Sequence, residues 1–572
     1  MSSEKLWYKS WPKGIKKTLE YPNISVHKMF ENIVSKNSDI NYLSILGINF
    51  TFGQVNDYAD RLASALKELG VKKGDNVGIF MINIPQFVIS FFGILKTGAT
   101  VVPISPLYGS TDLQTTLKDS NLKAIICLDI LYKKIQEAWD EPIPWKIITT
   151  SLGSILPTFK RILARLFRKI PASPKIDNAL DMFKLMEEYE RIEKSAQCDP
   201  ENDVAVIGYT GGTTGTPKGA MITHQNLISN LLAAREWSKH IHPKGTHKNF
   251  VGAVPFFHII GLSAVMLVGA FYESTIHLIP DPRNFESILK AIEKNKIEYC
   301  HGVPTLYRAL LMQPNFDDFD LTSLEIVFSG AAALPNFVFR AFEEKTGCLM
   351  IEAYGMTETS PIVTANPFEK DNRKMGSIGI PFPNTDVKII NPDNGDVLPI
   401  GEVGEIIIKG PQVMKGYYQK PEETAHIIRD GYLYSGDLGY MDEDGFIFLV
   451  NRAKDMINVS GYKVFPSELE GIITSNFPDI EEAAVVGVHD DYSGEAVKLI
   501  AVLKPGVADI KKEEFMKTLK KKVANYKVPK IVEIRDSLPK TALGKIDRRA
   551  LRAEPVELDV DEDEKKKRSR LI

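Results

Sequence analysis

Short apolar runs alternate with helical patterns along most of the chain, and this alternation limits the folds open to it. Between residues 55 and 69 apolar side chains recur at helical spacing, and Gly70 follows where a left-handed C-terminal cap belongs. The next runs, residues 77–81 and 99–104, are apolar throughout, as strands buried on both faces are. The repetition predicts an α/β fold in which helices cover both faces of parallel sheets.

The pattern changes twice toward the C-terminus. Before the first change, further buried strands are expected at residues 204–207, 251–257, 275–279, 298–301 and 325–328. From Asp386 onward, short alternating runs are bounded by Gly, Pro, Asn and Asp, which predicts a small antiparallel β module with strands at residues 387–390 and 405–409. Beyond Asn451 the α/β pattern returns, with strands expected at residues 483–488 and 499–503.

The length of the chain predicts more than one domain, because 572 residues exceed one compact core. We expect a large N-terminal domain of stacked α/β subdomains over residues 1–451, which includes the β module at about 386–451. A hinge at residues 452–456 would lead into a small mobile α/β domain at residues 457–552. The last residues, 553–572, are acidic and then basic, and we expect them to be disordered.

Composition argues against several classes of protein. A net charge of −3 gives no reason to expect a nucleic-acid-binding protein. The four cysteines lie far apart and form no Cys-x-x-Cys pair, which argues against a disulfide framework or a zinc site and fits a reducing cytoplasm. No signal peptide is visible, and the most apolar stretch, residues 259–272, is shorter than the roughly 20 residues that span a bilayer. We expect that stretch to form a buried core helix.

Residues 159–170 form a basic amphipathic pattern. Bulky apolar residues fall on one helical face, and Lys and Arg without a single acid fill the other. A helix of this kind can lie in the membrane interface, so peripheral attachment to the inner face of the membrane is one interpretation. A surface helix docked on its own domain and a contact between subunits are the alternatives.

A loop rich in glycine and threonine, residues 209–219, reads Tyr-Thr-Gly-Gly-Thr-Thr-Gly-Thr-Pro-Lys-Gly and directly follows an expected strand. Glycine lets another group approach the backbone closely, and successive backbone N–H groups in such a loop form a concavity that binds anions. Lys218 adds a positive charge and the threonine hydroxyls add donors. The loop predicts a polyphosphate site. It is not a Walker A motif, because Pro217 precedes the lysine and Gly219 follows it.

Five further stretches carry chemistry. Residues 329–334, Ser-Gly-Ala-Ala-Ala-Leu, have small side chains after an expected strand, which lets a flat ring lie against the backbone. Residues 354–359, Tyr-Gly-Met-Thr-Glu-Thr, place an aromatic ring, a hydroxyl and a carboxylate within five positions. Residues 434–437, Tyr-Ser-Gly-Asp, end an expected strand on a carboxylate. Residues 451–455, Asn-Arg-Ala-Lys-Asp, carry an arginine and a lysine, and residues 539–546, Pro-Lys-Thr-Ala-Leu-Gly-Lys-Ile, carry two lysines.

In order and spacing these motifs resemble the signatures of the adenylate-forming (acyl-activating) enzyme superfamily, from about residue 51 to residue 549. The chain is most similar to the AMP-forming long-chain fatty-acid–CoA ligases, or acyl-CoA synthetases. The resemblance implies two steps: a carboxylate attacks the α-phosphate of ATP to give acyl-AMP and pyrophosphate, and the thiol of CoA then displaces AMP. It implies ATP, a medium- to long-chain fatty acid and CoA as substrates, with Mg²⁺ as cofactor.

The resemblance also implies the catalytic residues. Lys545 would be the mobile cation that bridges the carboxylate and the α-phosphate, and Lys218 would hold the β- and γ-phosphates. Glu358 and Thr210 would hold Mg²⁺, which prefers oxygen ligands. His258 would lie beside the acyl carboxylate, with a satisfied core histidine as the alternative.

Further roles follow from the same resemblance. Tyr354 would stack on adenine, Thr357 would contact the α-phosphate, and Asp437 would accept from both ribose hydroxyls, with Arg452 adding a donor. Lys454 would be the hinge residue of the last domain. The expected CoA-binding residues are Gly461, Tyr462 and Lys463. The expected ATP-binding residues are Thr210, Gly211, Gly212, Thr213, Thr214, Gly215, Lys218, Gly330, Ala331, Ala332, Tyr354, Gly355, Thr357, Asp437, Arg452 and Lys545.

Alternatives stay open on substrate and class. The acid could be short-chain or aromatic, since the apolar helix after His258 could equally wall an acyl tunnel or belong to the core. The chain could also be a non-catalytic acyl or nucleotide binder built on the same fold. The sequence leaves the oligomeric state open, a homodimer included, and we expect a cytoplasmic protein.

Overall fold

The computed structural model describes residues 5–139, 142–155, 176, 179–210, 217–452, 455–459, 462–490, 494–507, 509–541 and 545–554. Several predictions lie outside these ranges: the amphipathic stretch 159–170, Lys454, Gly461, the tail from residue 555, and loop residues Gly211, Gly212, Thr213, Thr214 and Gly215. Of Arg452 and Lys463 only the backbone is described.

The strands follow the expected alternation with helices. Those of the described residues are β1 Asn41–Ile45, β2 Ile48–Thr51, β3 Asn76–Phe80, β4 Thr100–Pro103, β5 Leu122–Leu128, β6 Lys146–Thr150, β7 Leu180–Asp181, β8 Val204–Thr210, β9 Lys218–Thr223, β10 Asn249–Gly252, β11 Thr275–Leu278, β12 Tyr299–Gly302, β13 Ile326–Ser329, β14 Leu349–Gly355, β15 Ile362–Ala365, β16 Ile380–Pro381, β17 Asp386–Ile390, β18 Gly404–Lys409, β19 Gly416–Tyr417, β20 Ile428–Arg429, β21 Tyr432–Met441, β22 Ile447–Arg452, β23 Ile457–Val459, β24 Tyr462–Val464, β25 Ile480–Asp490, β26 Gly494–Leu503 and β27 Ile531–Arg535.

The α-helices of the same residues are α1 Val26–Asn37, α2 Phe52–Glu68, α3 Pro85–Thr97, α4 Ser110–Asp119, α5 Tyr132–Ala138, α6 Met182–Glu188, α7 His224–Trp237, α8 Val268–Phe271, α9 Phe285–Asn295, α10 Pro304–Leu311, α11 Asn336–Thr346, α12 Pro421–Ile427, α13 Pro466–Asn476, α14 Lys512–Leu519 and α15 Arg548–Ala553. A π-helix, Ile260–Leu267, runs directly into α8, so the buried helix expected at residues 259–272 is present. Within the part of the chain that the structure describes, no helix has the length and apolar character needed to cross a bilayer.

Two large sheets form the core of the first part of the molecule. Counted over the described residues, one has nine strands in the order β16-β15-β14-β13-β12-β10-β11-β1-β2, and the other has eight in the order β19-β9-β8-β4-β3-β5-β6-β7. Central pairs such as β3–β4 and β12–β13 are parallel, whereas β8–β9 and β14–β15 are antiparallel. The predicted α/β fold with parallel sheets is confirmed.

Local sequence explains where the helices beside these sheets begin and end. Helix α2 begins after Thr51, whose hydroxyl accepts from the backbone N–H of Gln54 while the Gln54 side chain accepts from the N–H of Thr51. Helix α3 ends at Gly98, which adopts a φ of 82° that other residues avoid. All five residues of β3 are buried, as the continuous apolar run predicts.

Two predictions from the sequence are wrong in detail. Residues 253–257 are not a strand, since β10 ends at Gly252. The amide of buried Asn83 donates to the carbonyls of Gly252 and Val254 at 3.0 and 2.8 Å, and its oxygen accepts from Phe256 N–H at 2.7 Å. These bonds satisfy the backbone without a sheet partner. Likewise Asp437 does not end a strand, because β21 continues to Met441.

The chain divides into two compact units. The first comprises the described residues of Met1–Lys388, Ile407–Tyr434 and Asp442–Ile447. The second comprises those of Ile389–Ile406, Ser435–Met441 and Phe448–Ile572. The division passes through the predicted β module, a sheet ordered β17-β18-β21-β20 with β22 beside β21. The domain bounds, with a hinge at residues 452–456, stay a prediction.

The second unit has its own sheet, ordered β24-β23-β26-β25, with β27 parallel to β26. Strands β25 and β26 form an antiparallel pair whose register runs from Ile480 opposite Leu503 to Asp490 opposite Gly494. Both strands are longer than the sequence predicts. A core of buried apolar side chains, among them Val485, lies between this sheet and helices α13 and α14.

Candidate active site

The glycine loop is the connection of a β-hairpin. Strand β8 ends at Thr210, β9 begins at Lys218, and these two residues stand opposite each other in the antiparallel pair. The Thr210 hydroxyl lies 3.5 Å from the carbonyl oxygen of Lys218. In a Walker A motif a helix follows the loop, so the hairpin agrees with the exclusion of that motif.

The base of the hairpin packs tightly. A Cβ built on Gly219 would lie 2.5 Å from Cγ2 of Ile207 and 3.2 Å from Cζ of Tyr209, so a larger residue there would displace its neighbours. The Tyr209 hydroxyl donates to the carboxylate of Asp119 at 2.7 Å. Lys420 reaches the other oxygen of Asp119 at 3.5 Å. These contacts fix the two strands from which the loop extends.

Lys218 lies among acidic and aromatic side chains. Its ammonium forms an ion pair with the carboxylate of Glu423, in the first turn of α12. The same nitrogen lies 5.5 Å from the centre of the Tyr417 ring, within the range of a cation–π contact. Tyr417 stands beside this site because β19 pairs with β9, which puts Tyr417 opposite Ala220.

Tyr417 also contacts the predicted metal ligand. Its hydroxyl donates a hydrogen bond of 2.8 Å to Oε1 of Glu358. Burial, and then the negative charge of Glu358, raises the pKa of the Tyr417 phenol, so the group stays protonated and remains a donor. The backbone N–H of Met414 donates to the carbonyl of Glu358 at 2.8 Å, which fixes the backbone of that residue.

The turn that carries Thr357 and Glu358 packs against the glycine hairpin. A Cβ built on Gly208 would lie 2.8 Å from Cγ2 of Thr357, so glycine is required for this approach. The hydroxyl of Ser263, on the π-helix, donates to the carbonyl of Ser360 at 3.0 Å. The structure therefore brings Thr210, Lys218, Thr357 and Glu358 into one region of the first unit.

The predicted adenine-binding residues lie on neighbouring strands. Strands β13 and β14 are parallel, with Ser329 opposite Glu352, so Gly330 and Tyr354 follow at the same edge of the sheet. A Cβ on Gly330 would lie 3.3 Å from the carbonyl oxygen of Ala353. Ala331 has a φ of 70°, unusual for a residue with a side chain. Tyr354 is buried, Gly330, Ala331 and Gly355 are half-buried, and Ala332 is exposed.

His258 is half-buried in the connection between β10 and the π-helix. Its backbone N–H donates to Pro255 and its carbonyl accepts from Leu262 N–H, at 3.1 and 2.9 Å. The Asn83 bonds fix the residues that precede it. This position is beyond the carboxyl end of a parallel strand, where open α/β sheets bind ligands.

The other predicted residues belong to the second unit. Asp437 is buried on β21, and its N–H donates to the Ser435 hydroxyl at 3.0 Å. Lys545 is half-buried, and its carbonyl accepts a hydrogen bond of 2.7 Å from Thr541 N–H. Tyr462 is exposed and stacks on Tyr526, with ring centres 4.8 Å apart.

Two residues of this region of the first unit, Tyr417 and Glu423, are not predicted from the sequence. The run Pro421-Glu422-Glu423 does carry the signature of a helix start, with proline in the first turn and acids beside it. Nothing in the local sequence shows that this helix begins beside Lys218, because that proximity comes from the pairing of β19 with β9.

Comparison with known proteins identifies related chains. The model of the AMP-binding enzyme family matches residues 30–418, and that of the AMP-binding enzyme C-terminal domain matches residues 468–545. The long-chain-fatty-acid–CoA ligase of Bacillus subtilis is 40% identical over 561 residues, which cover 97% of this chain and 99% of the relative. The corresponding ligase of Haemophilus influenzae is 35% identical, with 97% and 99% covered.

Solved structures agree with these matches. ATP-bound MatB from Rhodopseudomonas palustris superposes with a TM-score of 0.81 at 27% identity and covers 92% of this chain and 98% of its own. The anthranilate CoA ligase AuaEII, in complex with anthranoyl-AMP, has the same TM-score at 26% identity, with 93% and 97% covered. The family resemblance predicted from the motifs is confirmed. Because the family model spans most of the chain and relatives match nearly all of it, the chain belongs to the AMP-binding enzyme family.

Proposed function

We propose that this chain is an AMP-forming acyl-CoA synthetase that converts a medium- to long-chain fatty acid, ATP and CoA into acyl-CoA, AMP and pyrophosphate. Relatives named long-chain-fatty-acid–CoA ligase, 34 to 40% identical over at least 96% of the chain, support the substrate class. A 4-coumarate–CoA ligase-like relative is 31% identical over 89% of the chain, so the aromatic alternative has weaker support.

One structural observation carries the proposal. Lys218 and Glu358 come from separate motifs, yet both contact Tyr417, one through its ring and the other through its hydroxyl. A cation and a carboxylate that both contact one rigid side chain suit a site that must bind phosphate oxygens and a metal ion. Lys218 would exchange its ion pair with Glu423 for the β- and γ-phosphates of ATP.

The chemistry has two displacements. In the first, a carboxylate oxygen of the fatty acid forms a bond to the α-phosphorus, and the bond from that phosphorus to the β-phosphate oxygen breaks, so pyrophosphate leaves. In the second, the sulfur of CoA bonds to the acyl carbon and AMP leaves with the oxygen. Both need positioning and stabilisation of charge on oxygen, which fixed cations and donors supply.

The residues beside Lys218 fit Mg²⁺. Glu358 offers carboxylate oxygens and Thr210 a hydroxyl, and oxygen ligands suit this hard cation. The Lys218 ammonium pairs with Glu423, whereas the Glu358 carboxylate accepts from the Tyr417 hydroxyl. When bound, Mg²⁺ would neutralise phosphate charge. Tyr417 would orient Glu358 toward the ion.

The nucleotide-binding roles follow the motifs. Tyr354 would stack on adenine, and the segment Gly330, Ala331 and Ala332, with Gly355, would line the ring. Thr357 would donate to the α-phosphate. Asp437 would accept from the ribose hydroxyls, since an ionised carboxylate can accept two hydrogen bonds at once, and Arg452 would add a donor.

Lys545 would supply the moving charge. Its ammonium would bridge the fatty-acid carboxylate and the α-phosphate in the first step, with His258 beside the carboxylate. A rotation about Lys454 would then withdraw Lys545 and bring Gly461, Tyr462 and Lys463 to CoA. Hinges of this kind need only a few residues that change φ and ψ.

A substrate panel tests the proposal. Pyrophosphate release should require Mg²⁺, ATP and a fatty acid, and release of free AMP should require CoA as well. Rates should rise from short to long acyl chains and stay low with benzoate, 4-coumarate and free amino acids. If only an aromatic acid were active, that acid and not a fatty acid would be the substrate. If no acid were active, the result would support a non-catalytic binder.

Peripheral membrane contact through residues 159–170 is part of the same proposal, supported by the one-sided distribution of basic and apolar residues. Flotation with vesicles that contain anionic lipid would compare the wild type with a variant in which Phe159, Leu163 and Phe167 are changed to Ser. Weaker flotation of the variant is expected, and equal flotation would exclude the stretch as an anchor.

Measurement of the molecular mass in solution would test whether the protein is a homodimer.

A further inference from the structure

Three side chains with metal-binding atoms meet at a place remote from the proposed active site. His27 is the second residue of α1, Cys198 lies between α6 and β8, and His224 is the first residue of α7. One ligand atom from each lies within 4.8 Å of the other two. His224 follows the last residue of β9, whereas Lys218 is its first, so the cluster and the phosphate site lie at opposite ends of that strand.

The hydrogen bonds of His27 leave one nitrogen as a buried lone pair. Its Nε2 lies 3.0 Å from the carbonyl oxygen of Ala196 and 3.0 Å from the hydroxyl of Ser25. A carbonyl only accepts, so Nε2 carries the proton and Nδ1 the lone pair. Nδ1 has no hydrogen-bond partner, although the side chain is only 1% exposed. A ligand bound at Nδ1 of His27 would therefore displace no hydrogen bond of that nitrogen.

The arrangement around His27 is the usual one for a metal-bound histidine. Such a histidine donates its second ring nitrogen to a carbonyl or carboxylate, which fixes the tautomer and aims the lone pair. Nδ1 of His224 accepts from Val26 N–H at 3.2 Å, a single long hydrogen bond that a metal would have to replace or re-orient.

We propose that His27, Cys198 and His224 bind a divalent d-block cation, with Zn²⁺ the best match. Two imidazoles and a thiolate are ligands of zinc and of softer cations, and Mg²⁺ avoids them. A tetrahedral zinc site places neighbouring ligand atoms about 3.3–3.7 Å apart, so the cluster closes by small side-chain movements. Cys198 is half-buried, which leaves the ion a path from solvent, and water would complete the coordination.

The cluster joins segments that are far apart in the chain. Residues 27, 198 and 224 come from three separate stretches, so spacing rules based on Cys-x-x-Cys pairs do not detect them. The competing explanation is a buried water molecule that donates to Nδ1 of His27. A water molecule at Nδ1 does not require the Cys198 thiolate, whereas the proposed cation does. The test therefore asks whether a bound metal ion contacts the sulfur of Cys198.

Co²⁺ is the probe for the full-length protein, because a cobalt ion bound to a thiolate absorbs in the near ultraviolet through charge transfer from sulfur. Metal-free protein would be titrated with Co²⁺ in excess Mg²⁺ and without nucleotide. The Mg²⁺ ligands proposed above are oxygens, so cobalt bound there would give no such band. We expect one equivalent of Co²⁺ with a charge-transfer band, and displacement of the band by Zn²⁺.

Variants of single residues test which side chains bind the Co²⁺ ion. Cys198→Ser should abolish the band, and His27→Gln, whose amide can still donate to Ala196, should weaken Co²⁺ binding by about tenfold or more. Cys348→Ala, a buried thiol elsewhere, and His240→Gln, an exposed histidine, should behave as wild type. Each variant would first be checked for native circular dichroism. Absence of the band in wild-type protein, or its persistence in Cys198→Ser, would overturn the proposal in favour of water.

Discussion

The hydroxyl of Tyr417 donates to Oε1 of Glu358 at 2.8 Å, and the ring of the same tyrosine lies 5.5 Å from the ammonium of Lys218. One side chain thus connects the base of the glycine hairpin to the carboxylate that we assign to the metal. Tyr417 reaches both because β19 is the edge strand next to β9. We infer that Tyr417 positions Glu358.

Tyr417→Phe should weaken the use of Mg·ATP while leaving the fold intact. A hydrogen bond to a charged group is worth about 1.5–3 kcal/mol, so kcat/KM for Mg·ATP should fall by about 10- to 150-fold. The required Mg²⁺ concentration should rise as well, which a purely structural role would not cause. Tyr418→Phe is the matched control, because that side chain packs against the core near Tyr209. An unchanged Mg²⁺ dependence in Tyr417→Phe would contradict the assignment.

Glu423→Gln should improve ATP binding. Its ion pair with Lys218 competes with the phosphates, but the two side chains are 40% and 21% exposed, so the pair contributes at most about 1 kcal/mol. KM for Mg·ATP should therefore fall by up to about fivefold, whereas Lys218→Ala should raise it. Exposed Glu422→Gln is the control. If Glu423→Gln raised KM as Lys218→Ala does, Glu423 would belong to the binding site.

Lys545→Ala should abolish fatty-acid-dependent pyrophosphate release, because no other cation is assigned to bridge the carboxylate and the α-phosphate. ATP affinity, measured by equilibrium binding, should change by no more than a few fold. Lys540→Ala is the control, since Lys540 stands opposite Ile546, the neighbour of Lys545, and pairs with Glu482 at 2.8 Å. Survival of adenylation in Lys545→Ala would show that another group bridges the two substrates.

The buried ion pairs of Lys96 predict a pH dependence of stability. Lys96 is 1% exposed and lies 2.9 Å from Glu31 and 2.7 Å from Asp60. Burial works to raise the pKa of Glu31, but the hydrogen bond and charge of Lys96 outweigh it and lower that pKa to about 2. A carboxyl whose pKa is lowered on folding stabilises the protein above its unfolded pKa, and this contribution disappears as the pH falls through the folded value.

The free energy of unfolding of Glu31→Gln should therefore be lower than that of the wild type, and the difference should be largest above pH 4.5. The pH-dependent part of the difference should be about 3 kcal/mol and should shrink toward pH 2. Denaturant unfolding at several pH values measures it. Glu286→Gln, which removes an exposed pair with Lys290, should show little difference. A difference that grew as the pH fell would contradict the ion-pair account.

The sequence predicted regular elements well where periodicity and end signals agree. Helix α2 was expected at residues 55–69 and occupies Phe52–Glu68, and the expected left-handed cap at Gly70 is confirmed by its φ of 87° and by the hydrogen bond from Val71 N–H to the carbonyl of Leu66 at 3.0 Å. The earlier start comes from the reciprocal bonds of Thr51 and Gln54. Residues 253–257 were wrongly predicted as a strand, because an apolar run can be buried in a strand or in a loop. In this loop the side-chain amide of Asn83 makes the hydrogen bonds that a neighbouring strand would otherwise make.

Some residues of the candidate site could likewise be predicted from the sequence, and others could not. Lys218 and Glu358 could be named because each belongs to a motif with local chemistry. Glu423 and the role of Tyr417 could not, since their positions depend on which strand pairs at the edge of a sheet. Long-range pairing of this kind leaves no periodic signal in the chain.

The central claim is that the fatty acid is activated as an acyl-adenylate, and transfer of a labelled oxygen tests it most directly. A long-chain fatty acid whose carboxylate carries heavy-isotope oxygen would be converted to its CoA thioester with Mg·ATP, and the nucleotide products would be examined by mass spectrometry. The account predicts that AMP gains one labelled oxygen and that pyrophosphate gains none. Labelled inorganic phosphate together with ADP would contradict it, because that pattern requires an acyl phosphate instead.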